Sequence, residues 1–358
     1  MLYHLVYQVF GVRLAGSITF RAALASLLAL VLGLVLGPWM IRRLREFQIG
    51  QVIRQDGPAS HKAKSGTPTM GGLLILSSIF IPTLLLANLT DLYIWVAVLS
   101  TAAFGAIGFA DDYLKITRRS HHGLFARYKL LGQVLVGLAV GVTLIYMAAQ
   151  EPASYNTRLV FPFFKQWIPD LGWWYVPFAA FVLVSASNTV NLTDGLDGLA
   201  ISVFAVSAVT FTALAYLMGH RELSEYLLFV RFPVGELTIF CGAMVGASLG
   251  FLWWNCHPAE IFMGDVGSLA LGGALGTVAI LIKQELLLPI VGGVFVLEGL
   301  SVILQVGSFK LRGKRIFKMA PLHHHFELIG WAEPKVITRF LILAIIFALL
   351  SLATLKVR

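Results

Sequence analysis

Residues 22–41 read AALASLLALVLGLVLGPWMI, an uncharged stretch of twenty residues that decides the fold class. An α-helix rises about 1.5 Å per residue, so this stretch would span about 30 Å, which is the thickness of the hydrocarbon core of a bilayer. Its apolar residues do not alternate with polar ones, as they would along a strand of a membrane barrel. The stretch therefore predicts a transmembrane α-helix.

Nine further apolar runs of comparable length follow along the chain. The ten runs occupy residues 22–41, 65–90, 92–110, 130–150, 171–193, 198–219, 237–259, 266–282, 286–309 and 340–355. Because lipid offers no partners to backbone polar groups, runs of this kind cross a membrane as helices. We expect an all-α integral membrane protein with ten transmembrane helices. Residues 1–358 are treated as a single domain, because no linker of low complexity and no internal repeat interrupts the runs.

The composition of the whole chain excludes an ordinary soluble protein. Of its 358 residues, 58% are hydrophobic and 13% are charged, against about 45 to 50% and about 25% in soluble domains. The net charge of +9 does not indicate nucleic-acid binding, since the basic residues are scattered between apolar runs and form no continuous stripe. Membrane topology accounts for them better.

The distribution of Lys and Arg predicts the orientation of the helices. With ten spans, residues 42–68, 111–129, 188–198, 255–267 and 308–339 lie on one side of the membrane. They hold 18 of the 27 basic residues, and basic residues are in excess in cytoplasmic connections. We therefore expect these five segments to be cytoplasmic and both termini to lie outside.

The same five segments carry the polar motifs, beginning with an acidic pair. Asp111 and Asp112 end the third run and are followed by Lys115. Two acidic residues at a membrane boundary favour a cation site, although a solvated helix end would also explain them. Neighbouring residues on a helix point about 100° apart, so we expect one carboxylate to face the site and the other to orient Lys115 or the second shell of the metal.

A second motif, residues 188–198, contains no basic residue. It holds Asn188, Asn191, Asp194 and Asp197, and the two aspartates would share a face if the segment were helical. Two carboxylates and two amides at the membrane surface suit Mg²⁺ and hydrogen bonds to a polar substrate. Two Asp-Gly turns between helices are the competing interpretation.

Two further acidic residues are candidates because of where they lie. Asp265 stands just before an apolar run, where a cation is the partner we expect for it, although a simple helix N-cap is equally compatible. Glu298 lies inside an apolar run, which marks it as a functional candidate or as a structural residue bonded to Ser301 or Gln305. Together with Gly299, it predicts a break or bend in the last-but-one helix.

Two segments suggest contacts with anions. Residues 54–72 are rich in Gly, Ser, Thr and basic residues, so they suit an anion, although a plain basic loop would look the same. His323, His324 and His325 are consecutive, and consecutive side chains on a helix diverge. The three histidines therefore suit hydrogen bonds to phosphates better than a shared zinc ion.

Taken together, these motifs resemble those of the polyprenyl-phosphate N-acetylhexosamine-1-phosphate transferases. The resemblance rests on DDYLK (111–115), NLTDGLDG (191–198), MGDVGS (263–268) and PLHHHFEL (321–328), which occur in the expected order. The loop GTPTMGG (66–72) and the segment HHHFELIGWAEPKV (323–336) are most similar to the members that carry a muramoyl-pentapeptide substrate. The likeness covers essentially the whole chain.

The resemblance implies an activity and its partners. It implies Mg²⁺-dependent transfer of phospho-MurNAc-pentapeptide from UDP-MurNAc-pentapeptide to undecaprenyl phosphate, which yields lipid I and UMP for peptidoglycan. It also implies a homodimer in the bacterial inner membrane, surrounded by membrane lipid, with the active site on the cytoplasmic face. Transfer of GlcNAc-1-phosphate to the same lipid is an alternative, and a membrane transporter is an alternative of a different class.

The resemblance further implies roles for individual residues. Asp265 is the first choice as Mg²⁺ ligand, followed by Asp111 or Asp112, and one of that pair is the candidate base. The uridine would be surrounded by residues of three segments, namely Lys64, Asn191, Gly195, Leu196, Asp197 and Phe262, with Phe262 stacking on the uracil. Contacts to phosphates or to the amino sugar would come from basic side chains, namely Lys115, Lys129, His323, His324 and His325.

Overall fold

The computed structural model describes residues 3, 7, 13–47, 66–118, 123–150, 155–164, 167–227 and 232–356. Within these ranges the regular structure is helical. The α-helices are α1 (Ile18–Glu46), α2 (Gly72–Leu86), α3 (Leu92–Thr117), α4 (Ala126–Gln150), α5 (Tyr175–Thr193), α6 (Leu199–Gly219), α7 (Arg221–Tyr226), α8 (Leu237–Asn255), α9 (Gly264–Leu281), α10 (Leu288–Val291), α11 (Gly293–Arg312), α12 (Leu322–Leu328) and α13 (Glu333–Ala353). The predicted all-α class is confirmed.

Nine of the described helices are long and apolar enough to cross a membrane, namely α1, α3, α4, α5, α6, α8, α9, α11 and α13. The predicted run 65–90 contains α2, which has 15 residues and is shorter than the roughly 20 residues that a perpendicular span needs. The length and apolar composition of these helices therefore indicate a multi-pass membrane protein. The count of ten spans stays a prediction.

Helix α9 forms the centre of the bundle and packs against α2, α3 and α5. Every residue from Val266 to Leu281 is buried, which is possible because small residues recur along the helix. A Cβ atom on Gly108 of α3 would lie only 2.1 Å from the carbonyl oxygen of Asp265. Glycine at this position therefore lets α3 approach the beginning of α9, and this approach brings the acidic residues of the two helices together.

Of the break or bend predicted at Glu298 and Gly299, the break is wrong and the bend stays a prediction. Helix α11 runs without interruption through both residues, and the run 286–309 is divided instead at Gly292, between α10 and α11. Glycine has a low helix propensity, and the adjacent Gly293 packs against the ring of Phe347 of α13, where a Cβ atom would lie 2.6 Å from the ring. The division therefore lies at a pair of glycines and not at the charged residue.

The end of α9 opposite Asp265 holds a buried polar cluster that the sequence did not indicate. Lys283 is fully buried, and its ammonium lies 2.9 Å from the carboxylate of Glu285 and 3.0 Å from the hydroxyl of Tyr175. Tyr175 in turn donates a short hydrogen bond to Glu285. Burial lowers the pKa of Lys283, and Glu285 opposes this effect. The cluster ties the connection after α9 to the beginning of α5.

Candidate active site

Three carboxylates from two helices form the centre of the candidate site. Asp111 and Asp112 lie in the last two turns of α3, and Asp265 lies in the first turn of α9. Each contributes an oxygen atom to a group in which the atoms lie within 4.8 Å of one another. The side chains of Asp111 and Asp112 are about 5% exposed or less, whereas that of Asp265 is 17% exposed. Asp265 is thus the carboxylate most open to a ligand.

The acidic pair is held in place by backbone donors. Asp112 accepts a hydrogen bond from the backbone N–H of Val266 at 3.1 Å, so it caps the beginning of α9, whose dipole favours a negative charge there. Gly264, the first residue of α9, has φ +70, and a Cβ atom on it would lie 2.5 Å from the carboxylate of Asp112. Asp111 accepts a hydrogen bond from the N–H of Leu124 at 2.8 Å. Both carboxylates are therefore oriented before any ligand arrives.

Two lysines lie against this group. The ammonium of Lys115 lies 2.5 Å from Asp111, 3.3 Å from Asp112 and 3.0 Å from Asp265. Lys129 of α4 lies 2.7 Å from the same Oδ2 atom of Asp265 that Lys115 contacts. Both carboxylates of the pair contact Lys115, and the expectation that one faces the ligand while the other orients Lys115 or the second shell of the metal stays a prediction.

The amides of residues 188–198 take different positions. Asn191 donates to Asp265 at 2.9 Å and to the hydroxyl of Ser268 at 2.8 Å, so it lies at the acidic centre. Asn188 donates to the side chain of Gln133 at 2.6 Å, so it faces α4. Since α5 ends at Thr193, the next residues form a turn, and the helical face predicted for the two aspartates of this segment is not formed.

A fourth carboxyl group, that of Asp194, lies near the three clustered aspartates. Asp194 is half-buried at the end of α5. Burial, followed by the nearby charges of Asp265 and Asp112, raises the pKa of Asp194 to about 8. Burial is the larger cause, and the neighbouring carboxylates add to it. Carboxylate oxygens are the donors that hard divalent cations prefer, so the three clustered aspartates could hold a divalent metal ion.

A second group of side chains lies around Asp197, in the turn after α5. Asp197 is 3% exposed, and its Oδ2 atom lies 3.1 Å from Nδ1 of His257 and accepts from the N–H of Ala259 at 3.1 Å. Its own N–H donates to Glu333 at 2.9 Å. Asp197, His257 and Glu333 also bring potential ligand atoms within 4.8 Å of one another, but the oxygens of Asp197 and Glu333 already accept backbone hydrogen bonds.

Phe262 lies in the loop between α8 and α9 and is fixed by its backbone. Its N–H donates to the carbonyl of Pro68, and its carbonyl accepts from Gly71, both at 2.8 Å. Its side chain is half-buried. Leu196 is 4% exposed, so it supports the turn from within. Lys64 lies outside the described residues.

The three histidines face three different partners, as predicted for consecutive helical residues. His323 is buried and pairs with Glu298 at 3.2 Å, and Nδ1 of His324 lies 2.9 Å from Glu327. His325 accepts from the N–H of Lys318 at 3.1 Å. His323 packs against the turn after α5, since its Nε2 atom would lie 2.2 Å from a Cβ atom on Gly195.

The partner of Glu298 also differs from the predicted ones. Its carboxylate lies against His323, whereas the hydroxyl of Ser301 bonds to the backbone carbonyl of Glu298 and Gln305 bonds to the backbone of residues 316 and 317. The carboxylate also accepts a hydrogen bond from the backbone N–H of His323 at 3.3 Å.

Sequence reasoning missed four residues of the site, namely Gln133, His257, Ser268 and Glu333. A polar side chain in or beside an apolar run was a signal in each case. Their partners, however, lie between 55 and 136 positions away. Such contacts become visible only in the folded chain.

Comparisons with known proteins identify the family of the chain. A model of glycosyl transferase family 4 matches residues 94–283, which is more than half of the chain, and the phospho-N-acetylmuramoyl-pentapeptide-transferase signature 1 matches residues 64–76. Three curated relatives carry the name phospho-N-acetylmuramoyl-pentapeptide-transferase. The protein of Koribacter versatilis is 59% identical over 97% of this chain and 95% of its own length. Those of Acidobacterium capsulatum and Pelobacter propionicus are 57% and 56% identical over the whole of both chains. The chain therefore belongs to the phospho-N-acetylmuramoyl-pentapeptide-transferase family.

Proposed function

We propose that this protein transfers phospho-MurNAc-pentapeptide from UDP-MurNAc-pentapeptide to undecaprenyl phosphate, releasing UMP and forming lipid I. The family membership supports the proposal, and one observation carries it. Three aspartates and two lysines from the membrane-boundary ends of α3, α4 and α9 converge on one group. This arrangement suits phosphoryl transfer, in which catalysis is mainly positioning and neutralisation of negative charge.

In the proposed reaction a phosphate oxygen of the lipid attacks the β-phosphorus of the donor. The bond from that phosphorus to the bridging oxygen breaks, and UMP leaves with the electron pair. A phosphate monoester has a second pKa of about 6, so the acceptor is largely dianionic at pH 7 and can attack without losing a proton to the protein. Asp111 or Asp112 would take up a proton only from the remaining monoanion.

The chain's own residues divide the other tasks. Asp265, Asp111 and Asp112 would hold Mg²⁺, which when bound supplies charge neutralisation at the diphosphate. Lys115 and Lys129 exchange carboxylate contacts for phosphate oxygens as the donor enters. Asn191 keeps Asp265 oriented through its hydrogen bond to the carboxylate.

The donor is the part of the proposal that one assay decides. Purified protein with undecaprenyl phosphate and Mg²⁺ is expected to release UMP with UDP-MurNAc-pentapeptide and not with UDP-GlcNAc. Release with UDP-GlcNAc alone would favour the transfer of GlcNAc-1-phosphate. A protein that releases no UMP with either donor, yet binds them, would point to a transporter.

Recognition and chemistry are expected to separate in the kinetics of two variants. Phe262→Ala should raise the KM for the donor roughly five- to hundredfold, because stacking on a base contributes about 1 to 3 kcal/mol. Asp112→Asn should lower kcat with a smaller change in donor KM, because a metal or base contact strengthens mainly in the transition state. The measurement is steady-state kinetics with donor and lipid varied separately. If Phe262→Ala lowers kcat and spares KM, the assignment to uracil is wrong.

We further propose that the acidic centre faces the cytoplasm of a bacterium, with the protein in the inner membrane as a homodimer. The distribution of basic residues and the family resemblance support this orientation. Cys256 offers a native probe, because it is exposed beside the site, whereas Cys241 is buried.

A membrane-impermeant maleimide is therefore expected to label Cys256 in inverted vesicles and not in right-side-out vesicles. Arg158 lies in the connection before α5, and its side chain is 62% exposed. In a Cys256→Ser background, Arg158→Cys should show the opposite sidedness. Labelling of both cysteines from one side, or with the sides exchanged, contradicts the proposed orientation.

A further inference from the structure

Glu333, the first residue of α13, is buried against the turn that follows α5. The residue is 9% exposed, and its Oε1 atom accepts the backbone N–H of Asp197 at 2.9 Å. We infer that Glu333 is a positioning residue for the uridine part of the donor and acts through the turn that contains Asp197. The inference rests on the proposed function, since it takes this turn as part of the donor site.

Asp197 links the turn to a second segment of the site. Its Oδ2 atom lies 3.1 Å from Nδ1 of His257 and accepts the N–H of Ala259, also at 3.1 Å. Both residues belong to the loop between α8 and α9, which continues to Phe262. The hydrogen bonds of one aspartate therefore join α13, the turn after α5 and the loop that carries the aromatic ring.

His257 also lies close to Glu333. Its Nδ1 atom is 3.6 Å from the Oε2 atom of Glu333, which is an ion-pair distance, and its side chain is 37% exposed. The partly exposed imidazole therefore lies beside two buried carboxylates, those of Asp197 and Glu333. Oε1 of Glu333 therefore contacts the turn after α5 through Asp197. Oε2 lies close to the loop between α8 and α9 through His257.

Helix α12 supports the same turn at a neighbouring residue. A Cβ atom on Gly195 would lie 2.2 Å from Nε2 of His323, so the buried imidazole is packed directly against the backbone of the turn. The corner formed by α12 and α13 thus fixes the turn at two points, through His323 and Glu333. Residues more than 120 positions away in sequence determine its geometry.

This arrangement predicts how loss of Glu333 is felt. Glu333→Ala leaves the buried N–H of Asp197 without its acceptor, a loss that is typically equivalent to a five- to hundredfold change in an equilibrium constant. A relaxed turn should therefore weaken donor binding and leave the acidic centre at Asp265 in place. We expect the KM for UDP-MurNAc-pentapeptide to rise roughly tenfold, with kcat and the KM for undecaprenyl phosphate changed by less than about threefold.

The test compares four variants of the full-length protein in steady-state kinetics and in calorimetric titration with UMP. Glu333→Gln keeps an oxygen acceptor for Asp197 and should restore most of the donor KM. His257→Ala removes the exposed member of the group formed by Asp197, His257 and Glu333. It therefore tests the same set of contacts if Glu333→Ala fails to fold. Glu260→Gln removes an exposed carboxylate of the same loop and serves as the matched control, with unchanged kinetics expected.

Three results would overturn the inference. The first is an unchanged donor KM in a folded Glu333→Ala protein, or in His257→Ala if the former does not fold. The second is a uniform loss of kcat and of both affinities with a lowered melting temperature, as a merely structural role predicts. The third is Glu333→Gln behaving like Glu333→Ala. Titration with UMP reports on the turn even if the wild-type protein does not turn over the donor, so failure of the proposed function is recognised separately.

Discussion

Asp265→Asn is expected to lower kcat on the order of a thousandfold while the protein stays folded in detergent. The Oδ2 atom of Asp265 lies 2.7 Å from the ammonium of Lys129 and 3.0 Å from that of Lys115. The Oδ1 atom of Asp265 accepts a hydrogen bond from Asn191. An amide in this place directs an NH₂ group either at two ammonium ions or at the donor group of Asn191. It also removes the carboxylate that is most open to a metal, and lost electrostatic stabilisation of a transition state typically costs 100- to 1000-fold.

The measurement is the initial rate of UMP release at limiting and at saturating Mg²⁺, with circular dichroism and thermal melting as checks of folding. Asp170→Asn is the matched control, because Asp170 is exposed in the connection before α5 and bonds to Thr157 there. Its rate should equal that of the wild-type protein. Turnover of Asp265→Asn within tenfold of wild type at limiting Mg²⁺ would show that Asp265 is not the main metal ligand.

Lys115→Gln is the second variant for which we expect a large effect. The ammonium of Lys115 contacts all three clustered carboxylates at 2.5 to 3.3 Å. Without it, Lys129 is the remaining cation in contact with the three carboxylates among the described residues. The phosphates of the nucleotide substrate also lose the charge-assisted hydrogen bonds that Lys115 would donate. We expect kcat to fall on the order of a hundredfold.

The same variant should require less Mg²⁺ for half-maximal rate. Removal of an ammonium from a group of carboxylates removes its repulsion of a divalent cation and leaves the carboxylates free to bind one. The measurement is a Mg²⁺ titration of the initial rate. Arg43→Gln, which removes an exposed cation that pairs with Glu46, is the control and should change neither quantity. A higher Mg²⁺ requirement in Lys115→Gln would show that Lys115 supports the metal and does not compete with it.

The all-helical membrane fold was predictable because its spanning helices can be recognised from the order of residues along the chain. Length and absence of charge identify a membrane-spanning helix, and nine of the expected helices were found among the described residues. The ends of α2 and the division at Gly292 were not predictable. They depend on which residues of neighbouring helices pack there, as Phe347 does against Gly293.

The site was predictable in its residue types and less so in its pairings. The motifs led to Asp111, Asp112 and Asp265, which the structure brings together. Glu298 shows the limit of this reasoning, because its charge suggested a bend while its actual partner, His323, was assigned to phosphates. Glu333 shows the same limit. From the sequence, it is an acidic residue in the first turn of a helix, where such residues are common, and the hydrogen bond that it accepts from Asp197 is visible only in the structure.

The measurement that tests the central claim most directly is a mass balance of the products. Purified protein is incubated with UDP-MurNAc-pentapeptide, undecaprenyl phosphate and Mg²⁺, and nucleotide and lipid products are quantified by mass spectrometry. The account predicts UMP and undecaprenyl-diphospho-MurNAc-pentapeptide in a one-to-one ratio, and almost none of either product with Asp265→Asn over the same time. Release of UDP in place of UMP would indicate transfer of the sugar without its phosphate. That result, or release of UMP without a lipid product, would contradict the account.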